Sequence, residues 1–356
     1  MPPLSSRTYL DHAATTPLLA AAREAMMRAL GDWANPSSPH AEGRAARAAL
    51  EDARARIAAA LGFDGAIIFT SGASEAIEIA LRRAKAGPRL IAAVEHDAVR
   101  RVARDAQILP VSDQGIVDVA AIRGERPLVA VQAVNNETGV IQPLAEVLAA
   151  TRATGGLLLA DCAQSAGKMA LPEADFLAIS AHKLGGPPGV GALLVRDLTT
   201  LEASGGQEQG YRGGTENLPA ILGFAAALDA ATAWMERAAA LRSALDGAVI
   251  AGGGMVAGAG ADRLPTIGSY RMPGVAATAQ LIRFDLAGIS VSAGSACSSG
   301  SLKPSHVLAA MGWDEAAARE VIRISFGPDT GADDVDRCAA LWRSIADAAR
   351  ARERAA

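Results

Sequence analysis

The stretch FLAISAHKLGGPPGVGALLV, residues 176–195, sets a lysine where almost nothing else carries a side chain. Phe176 to Ser180 is a short apolar run of the length of a buried strand. His182 and Lys183 follow, then a loop of Gly185, Gly186, Gly189, Gly191 and two prolines, and the apolar chain resumes at Ala192. A lysine at a strand exit readily has its pKa shifted by its surroundings, and the neutral amine is a nucleophile. Glycine and proline after it leave room for a ligand to approach a rigid backbone.

Outward from this stretch, strand-like and helix-like segments alternate from about residue 20 to 235. AIIFT (66–70), RLIAAV (89–94), LVAVQAV (128–134), GLLLAD (156–161), FLAIS (176–180) and GALLV (191–195) are short, apolar and bounded by turn residues. AAREAMMRALGDW (21–33) and the run at 41–62 repeat apolar residues every three to four positions, as helices do. The alternation predicts an α/β fold: a mostly parallel sheet with helices on both faces, and a ligand site beyond the carboxyl ends of the strands. Residues 227–249 predict one long helix leading away. We expect a large domain over 13–235 and a smaller one from 1–12 with 236–356.

The whole-chain properties narrow the function classes. A chain of 356 residues suits about two domains. Its net charge is −4, from 34 basic and 38 acidic residues, without a basic run, so no direct nucleic-acid partner is expected. No uninterrupted apolar stretch of membrane-spanning length and no signal-peptide layout are present, so we expect no membrane association. Three cysteines, Cys162, Cys297 and Cys338, are a sparse, odd set that suits a reducing, cytoplasmic setting. Lysine occurs only at 85, 168, 183 and 303, so an amine nucleophile has few places to be.

The polar residues gather where strands stop. TSGASEA (70–76) is a small-residue turn opening a helix, suited to a phosphate, although Ser74 would serve equally as an N-cap. His96 follows one strand, and Asn135, Asn136 and Glu137 follow another; each also fits a polar turn. Asp161 closes an apolar strand, where a carboxylate is expensive unless paired. A buried Asp, an amine and a phosphate-binding turn are the protein groups that pyridoxal 5'-phosphate requires.

YLDHAATTP, NPSSPHAEGRAAR, FTSGASEA, EHDAV, VNNETGVIQP, DCAQSAGK, SAHKLGGPPGVGAL, GGQEQGYRGGTEN, SAGSACSSGSLKPSHVLAAMG and IRISFG occur in that order over nearly the whole chain. In these motifs the sequence resembles the cysteine desulfurases of the NifS/IscS type, a branch of the class V aminotransferase-like, fold-type-I pyridoxal-phosphate enzymes. The resemblance implies a seven-stranded, mostly parallel sheet and a smaller α+β domain. It implies that Lys183 holds the cofactor and moves protons, and that Asp161 pairs with the pyridine nitrogen. His96 would stack on the ring, and Gln164 would bond its phenolic oxygen. Ala73, Ser74, Ser180 and His182 would bind the phosphate, joined by Thr215 from the neighbouring subunit of a homodimer. Asn136 and Arg323 would hold the carboxylate of L-cysteine. Cys297 would attack the substrate sulfur and pass a persulfide to an acceptor protein, a scaffold or sulfurtransferase, for iron–sulfur clusters, other sulfur cofactors or tRNA thiolation.

Cys297 sits among Ala, Ser and Gly, which pack no core, whereas Cys162 and Cys338 read as small buried hydrophobes. A lesser role for Cys162 in sulfur handling stays open at this level. Glu78 departs from the family pattern, which has Asn shortly after the phosphate turn. Two other readings share the fold: a selenocysteine lyase, and a catalytically silent regulatory subunit.

Overall fold

The computed structural model describes residues 7–32, 34–230, 234–296 and 302–355. Seven strands form the main sheet in the order Ala66–Thr70, Gly191–Val195, Phe176–Ser180, Leu157–Asp161, Leu128–Gln132, Arg89–Ala92, Gln107–Leu109. All run parallel except Gly191–Val195, which lies antiparallel to both neighbours. Six carboxyl ends therefore line one edge of the sheet, among them Thr70, Ala92, Gln132, Asp161 and Ser180.

The strands are apolar throughout because both faces are covered. Ile67, Val129, Val131, Leu158, Leu177 and Ile179 point to one core, shared with the helices Ala41–Leu61, Leu144–Ala153 and Leu218–Asp229. Their alternate neighbours Ile68, Leu128, Ala130, Leu159 and Ala178 point to the other, shared with the helices Ala73–Arg83 and Asp97–Val102. A second core lies outside the sheet. The antiparallel strands Met255–Val256, Ile267–Arg271 and Val321–Ser325 and the helices Met235–Ala251, Ala277–Leu286 and Ala332–Ala355 enclose Tyr270, Phe284, Ile322, Ile324 and Trp342. The N-terminal segment joins this core: Thr8–Tyr9 pairs in parallel with Ile289–Ser290, and Leu10 is buried in it.

Two expectations are corrected. Residues 227–249 are not one helix. The helix Leu218–Asp229 is capped at Ala230, and another begins at Met235 behind a buried Trp234. The first packs against the helices Ala20–Gly31 and Ala41–Leu61, and the second against Ala332–Ala355. The chain breaks where it leaves one core for the other, and helical periodicity alone does not reveal that. The edge strand Gln107–Leu109 was not read from the sequence; it is three residues long, with Gln107 and Ile108 exposed.

One buried ion pair ties the loop at Glu208 to the sheet. The Arg54 guanidinium meets the Glu208 carboxylate with two bonds of 2.8 and 3.0 Å, and also donates to the Ile67 carbonyl at 2.6 Å. The Phe69 N–H donates to the same carboxylate at 2.7 Å, and the guanidinium lies 4.6 Å from the Phe69 ring centroid. Removing one partner strands the other charge in the interior, at a cost of about 3–5 kcal/mol. Glu208→Ala is expected to lower the unfolding free energy of the cofactor-free protein by that amount, seen as a fall in the urea midpoint, and a further Arg54→Met change to restore part of it. An unchanged midpoint in the single variant would show the pair to be energetically idle.

Candidate active site

A cavity of about 690 Å³ opens at the carboxyl edge of the main sheet. Ala73, Ser74, His96, Asn136, Asp161, Gln164, Ser180, His182, Lys183 and Arg323 all line it. Every one of these was marked in the sequence, by its place at a strand end or by the resemblance. Thr215 does not line it and is exposed. Cys297 lies outside the described residues. The backbone on either side of that segment pairs Ser295–Ala296 with Leu302–Lys303.

Lys183 stands on the short turn Ala181–Lys183 that directly continues the strand Phe176–Ser180. Its Nζ donates to the carbonyls of Ala13 and Ala14 at 2.7 and 2.8 Å. Burial and the nearby Arg323 charge lower its pKa from 10.5 to about 8, while Asp161 and Asp11 act the other way. Half the amine is then neutral near pH 8, where a solvated lysine would be almost wholly charged. Lys168 shares a small pocket with Lys183, and burial together with the Lys183 charge moves it down to about 7.

Asp161 ends the neighbouring strand and is buried. Burial raises its pKa. The Ala163 N–H, which donates to Oδ1 at 2.9 Å, and the charges of His96 and Lys183 hold it down. His96 caps the helix Asp97–Val102: its Nδ1 accepts the Ala98 N–H at 3.1 Å, so in the neutral ring the proton is on Nε2. Burial lowers its pKa and favours that neutral form. Gln164 donates from Nε2 to the Ala13 carbonyl at 2.9 Å, while its Oε1 is buried without a partner.

These features fit pyridoxal 5'-phosphate. The unpartnered Gln164 Oε1 calls for a donor, such as a ring hydroxyl. Asp161 lacks a close cation among its hydrogen bonds, which a protonated pyridine nitrogen would be. The helix Ala73–Arg83 opens at the rim with free N–H groups, a natural phosphate site. A Cβ added at Gly72 would come within 3.7 Å of Ser180 Oγ, so glycine keeps that cradle open. Gly191 matters for another reason: a Cβ there would sit 2.7 Å from the Gly72 Cα, so only glycine lets the antiparallel strand lie against the turn. Glu78 points elsewhere, pairing with Arg82 on the exposed face of the helix at 2.7 Å.

Arg323 enters from the second core, on the strand Val321–Ser325. Its Nη2 meets Asp11 at 2.8 Å and its Nη1 donates to the Asn136 carbonyl at 3.1 Å, while Nε is buried and unpaired. A ligand carboxylate would compete with Asp11 for this fork. Cys162 and Cys338 are fully buried and their thiols are pushed up to about 12, so neither is a thiolate at neutral pH. The sequence reading did not single out Asp11, Glu95, Gln132 or His306 for the site, and it named Glu137 only as a residue that also fits a polar turn. Asp11, Gln132, Glu137 and His306 also line the cavity, and Glu95 lies buried beside them. Four of the five stand inside the motifs that carry the resemblance, and two of them, Glu95 and Glu137, directly adjoin His96 and Asn136.

The sequence matches the Aminotransferase class-V family over residues 8–338. The chain belongs to that family. It is 38% identical to the IscS-like cysteine desulfurase of Mycobacterium tuberculosis, with 98% of each chain covered. A NifS-like protein from Rickettsia africae superposes with a TM-score of 0.87 at 31% identity, covering 96% of this chain and 99% of that one. A structure described as SspA in complex with cysteine has a TM-score of 0.78 at 30% identity, covering 90% and 100%. The fold is that of the NifS-like, fold-type-I enzymes, and within the class-V family the chain groups with the cysteine desulfurases.

The depressed Lys183 pKa is open to measurement. Reductive capture of pyridoxal phosphate by the cofactor-free protein should accelerate as pH rises through about 8 and then level off, because only the neutral amine reacts. Lys183→Ala should abolish that component. A midpoint near 10.5 would mean that the amine is solvated and not activated.

Proposed function

We propose that the protein is a pyridoxal-phosphate-dependent enzyme that removes sulfur from L-cysteine, leaving alanine, and carries the sulfur as a persulfide on Cys297. The observation that carries the reading is the approach of Lys183 and Asp161 to one cavity from adjacent strands, with His96 and the helix opening at Ala73 on its walls. The relationship to cysteine desulfurases over nearly the full length supports the same reading.

Pyridoxal phosphate, when bound, supplies an electron sink for the charge left at the substrate Cα. The Asp161 carboxylate accepts from the protonated ring nitrogen and keeps that sink deep. The neutral His96 imidazole would lie against the ring, and the unpartnered Gln164 Oε1 would accept from its hydroxyl. The backbone N–H of Ala73, the hydroxyls of Ser74 and Ser180, and His182 hold the phosphate. His182 is fixed by Thr15 Oγ1 at 3.1 Å and kept neutral by burial, its pKa lowered to about 4. Thr215, exposed on this chain, is supplied to the phosphate by the partner subunit of a homodimer.

Arg323 and Asn136 bind the substrate carboxylate, an exchange in which Arg323 turns from Asp11. Lys183, as a neutral amine, takes the Cα proton and returns it at the end. The Cys297 thiolate attacks the substrate sulfur: an S–S bond forms and the C–S bond breaks. The persulfide then passes to an acceptor protein, a scaffold or sulfurtransferase serving iron–sulfur clusters or other sulfur-bearing products. The two cores support a division into a large body at 13–235 and a smaller one from 1–12 with 236–356, joined at this cavity. Among the described residues no helix is long and apolar enough to cross a membrane, and we place the enzyme in the cytoplasm.

The test compares wild type with Cys297→Ala and Lys183→Ala on L-cysteine, reading alanine and protein-bound persulfide. Wild type should yield both products. Cys297→Ala should bind the cofactor with unchanged affinity yet form no persulfide. Lys183→Ala should lose alanine formation by about 10²–10⁴-fold, the span expected for a proton-transfer residue. Persulfide at wild-type rate in the Cys297 variant would remove that residue from the mechanism.

A further inference from the structure

The motif SLKPSHVL (301–308) contains two described residues, Ser305 and His306, whose contacts run to both walls of the cavity. Ser305 caps the helix His306–Ala310: its Oγ accepts the Leu308 N–H at 3.1 Å and donates to Glu137 Oε2 at 2.5 Å. Glu137 is buried, directly follows Asn136, and is held by its own N–H donating to Asn135 Oδ1 at 2.9 Å. His306 turns the other way. Its Nε2 lies 2.9 Å from the carbonyl oxygen of Glu95, which accepts only, so Nε2 carries the proton and donates.

The Glu95 carbonyl belongs to the peptide that leads into His96. The Glu95 side chain and the Val94 carbonyl just before that peptide are held from the strand side. Gln132 donates from its N–H to Glu95 Oε1 at 2.9 Å and from Nε2 to the Val94 carbonyl at 2.6 Å, and Asn135 Nδ2 reaches the same carbonyl at 3.2 Å. These three bonds come from the strand Leu128–Gln132 and the turn after it. His306 supplies the fourth, from the opposite side, at the bond nearest the imidazole. Without it, the carbonyl beside His96 loses the one protein donor it has among the described residues.

We propose that His306 is a positioning residue: by donating from Nε2 to the Glu95 carbonyl it fixes the plane of the His96 imidazole against the cofactor ring. This rests on the reading of the cavity as a pyridoxal-phosphate site. His306 touches the reaction only through His96, so its loss shows in how the ring is held. The net worth of one neutral hydrogen bond corresponds to roughly a two- to tenfold change in an equilibrium.

The test uses two substitutions that differ in reach. Glutamine presents its amide N–H₂ near the position of the histidine Nε2, and asparagine stops near Nδ1. Full-length His306→Gln and His306→Asn are stripped of cofactor and titrated with pyridoxal phosphate at a temperature well below unfolding. Affinity, visible circular dichroism per bound cofactor and the unfolding midpoint of the cofactor-free protein are recorded. His306→Asn should bind roughly two- to tenfold more weakly and lose at least half of the visible dichroism, and His306→Gln should recover most of both. The inference is overturned if the Asn variant matches wild type in affinity and dichroism, whether or not its unfolding midpoint falls. It is equally overturned if the Gln variant is as impaired as the Asn variant. If wild type itself takes up no cofactor, the reading of the site falls first and this inference with it. Normal wild-type binding with an unaffected Asn variant sinks the inference alone.

Discussion

A lysine amine held 2.7 and 2.8 Å from two main-chain carbonyls is the contact on which the cavity depends. The carbonyls belong to Ala13 and Ala14, and the segment that carries them does not belong to the main sheet. It comes from the second core, where Leu10 is buried and Thr8–Tyr9 pairs with Ile289–Ser290. On its way it sends Asp11 to Arg323, sets the His12 imidazole against Gly327, where a Cβ would lie inside the ring, and donates from the Thr16 hydroxyl to the Lys183 carbonyl at 3.1 Å. Eight or so residues thus stitch the end of the main sheet to the second core. Any shift of one core against the other moves the acceptors of the amine.

The charges follow from this arrangement. Lys183, Asp161, Arg323, Asp11 and His96 share one poorly solvated space, where each ion is costly alone and affordable only beside its opposite. Lysine is pushed down by burial and by Arg323, and Asp161 is pushed up by burial and held back by His96 and Lys183. The two shifts bring the groups toward a state in which an amine is available as a base. Lys168 adds a second buried amine behind the first. The Lys183 charge helps to lower the Lys168 pKa, because two buried like charges disfavour each other.

The sheet was legible wherever turn residues bracket an apolar run. Residues 66–70, 176–180 and 191–195 form strands over the same residues the sequence marks. Residues 89–94 and 128–134 read two residues too long, because Ala93, Val94, Ala133 and Val134 stay apolar after the ladder ends and the chain bends into the site. Apolar composition reports burial and does not report hydrogen bonding, so it cannot locate that bend. The break near residue 230 was hidden for the same reason, since both helices are alanine-rich and apolar. Ten of the cavity residues could be named in advance because strand ends, glycine turns and a resemblance pointed at them. Asp11, Glu95 and His306 could not, because their roles depend on partners more than 30 residues away, Arg323, Gln132 and the Glu95 carbonyl among them.

Glu95 shows how far such distant partners shape the site. Its carboxyl is buried, accepts one bond from the Gln132 N–H through Oε1, and leaves Oε2 without a partner. Burial, with the charge of Asp161 nearby, raises its pKa well above the usual carboxylate range. A carboxylate there would place a second negative charge behind His96 and compete with Asp161 for the same cations. Burial disfavours that second charge, and the Gln132 N–H bond to Oε1 offsets the burial only in part. The surroundings of His96 are therefore polar and well bonded, and the Asp161 carboxyl stands at the strand end where a ring nitrogen would meet it.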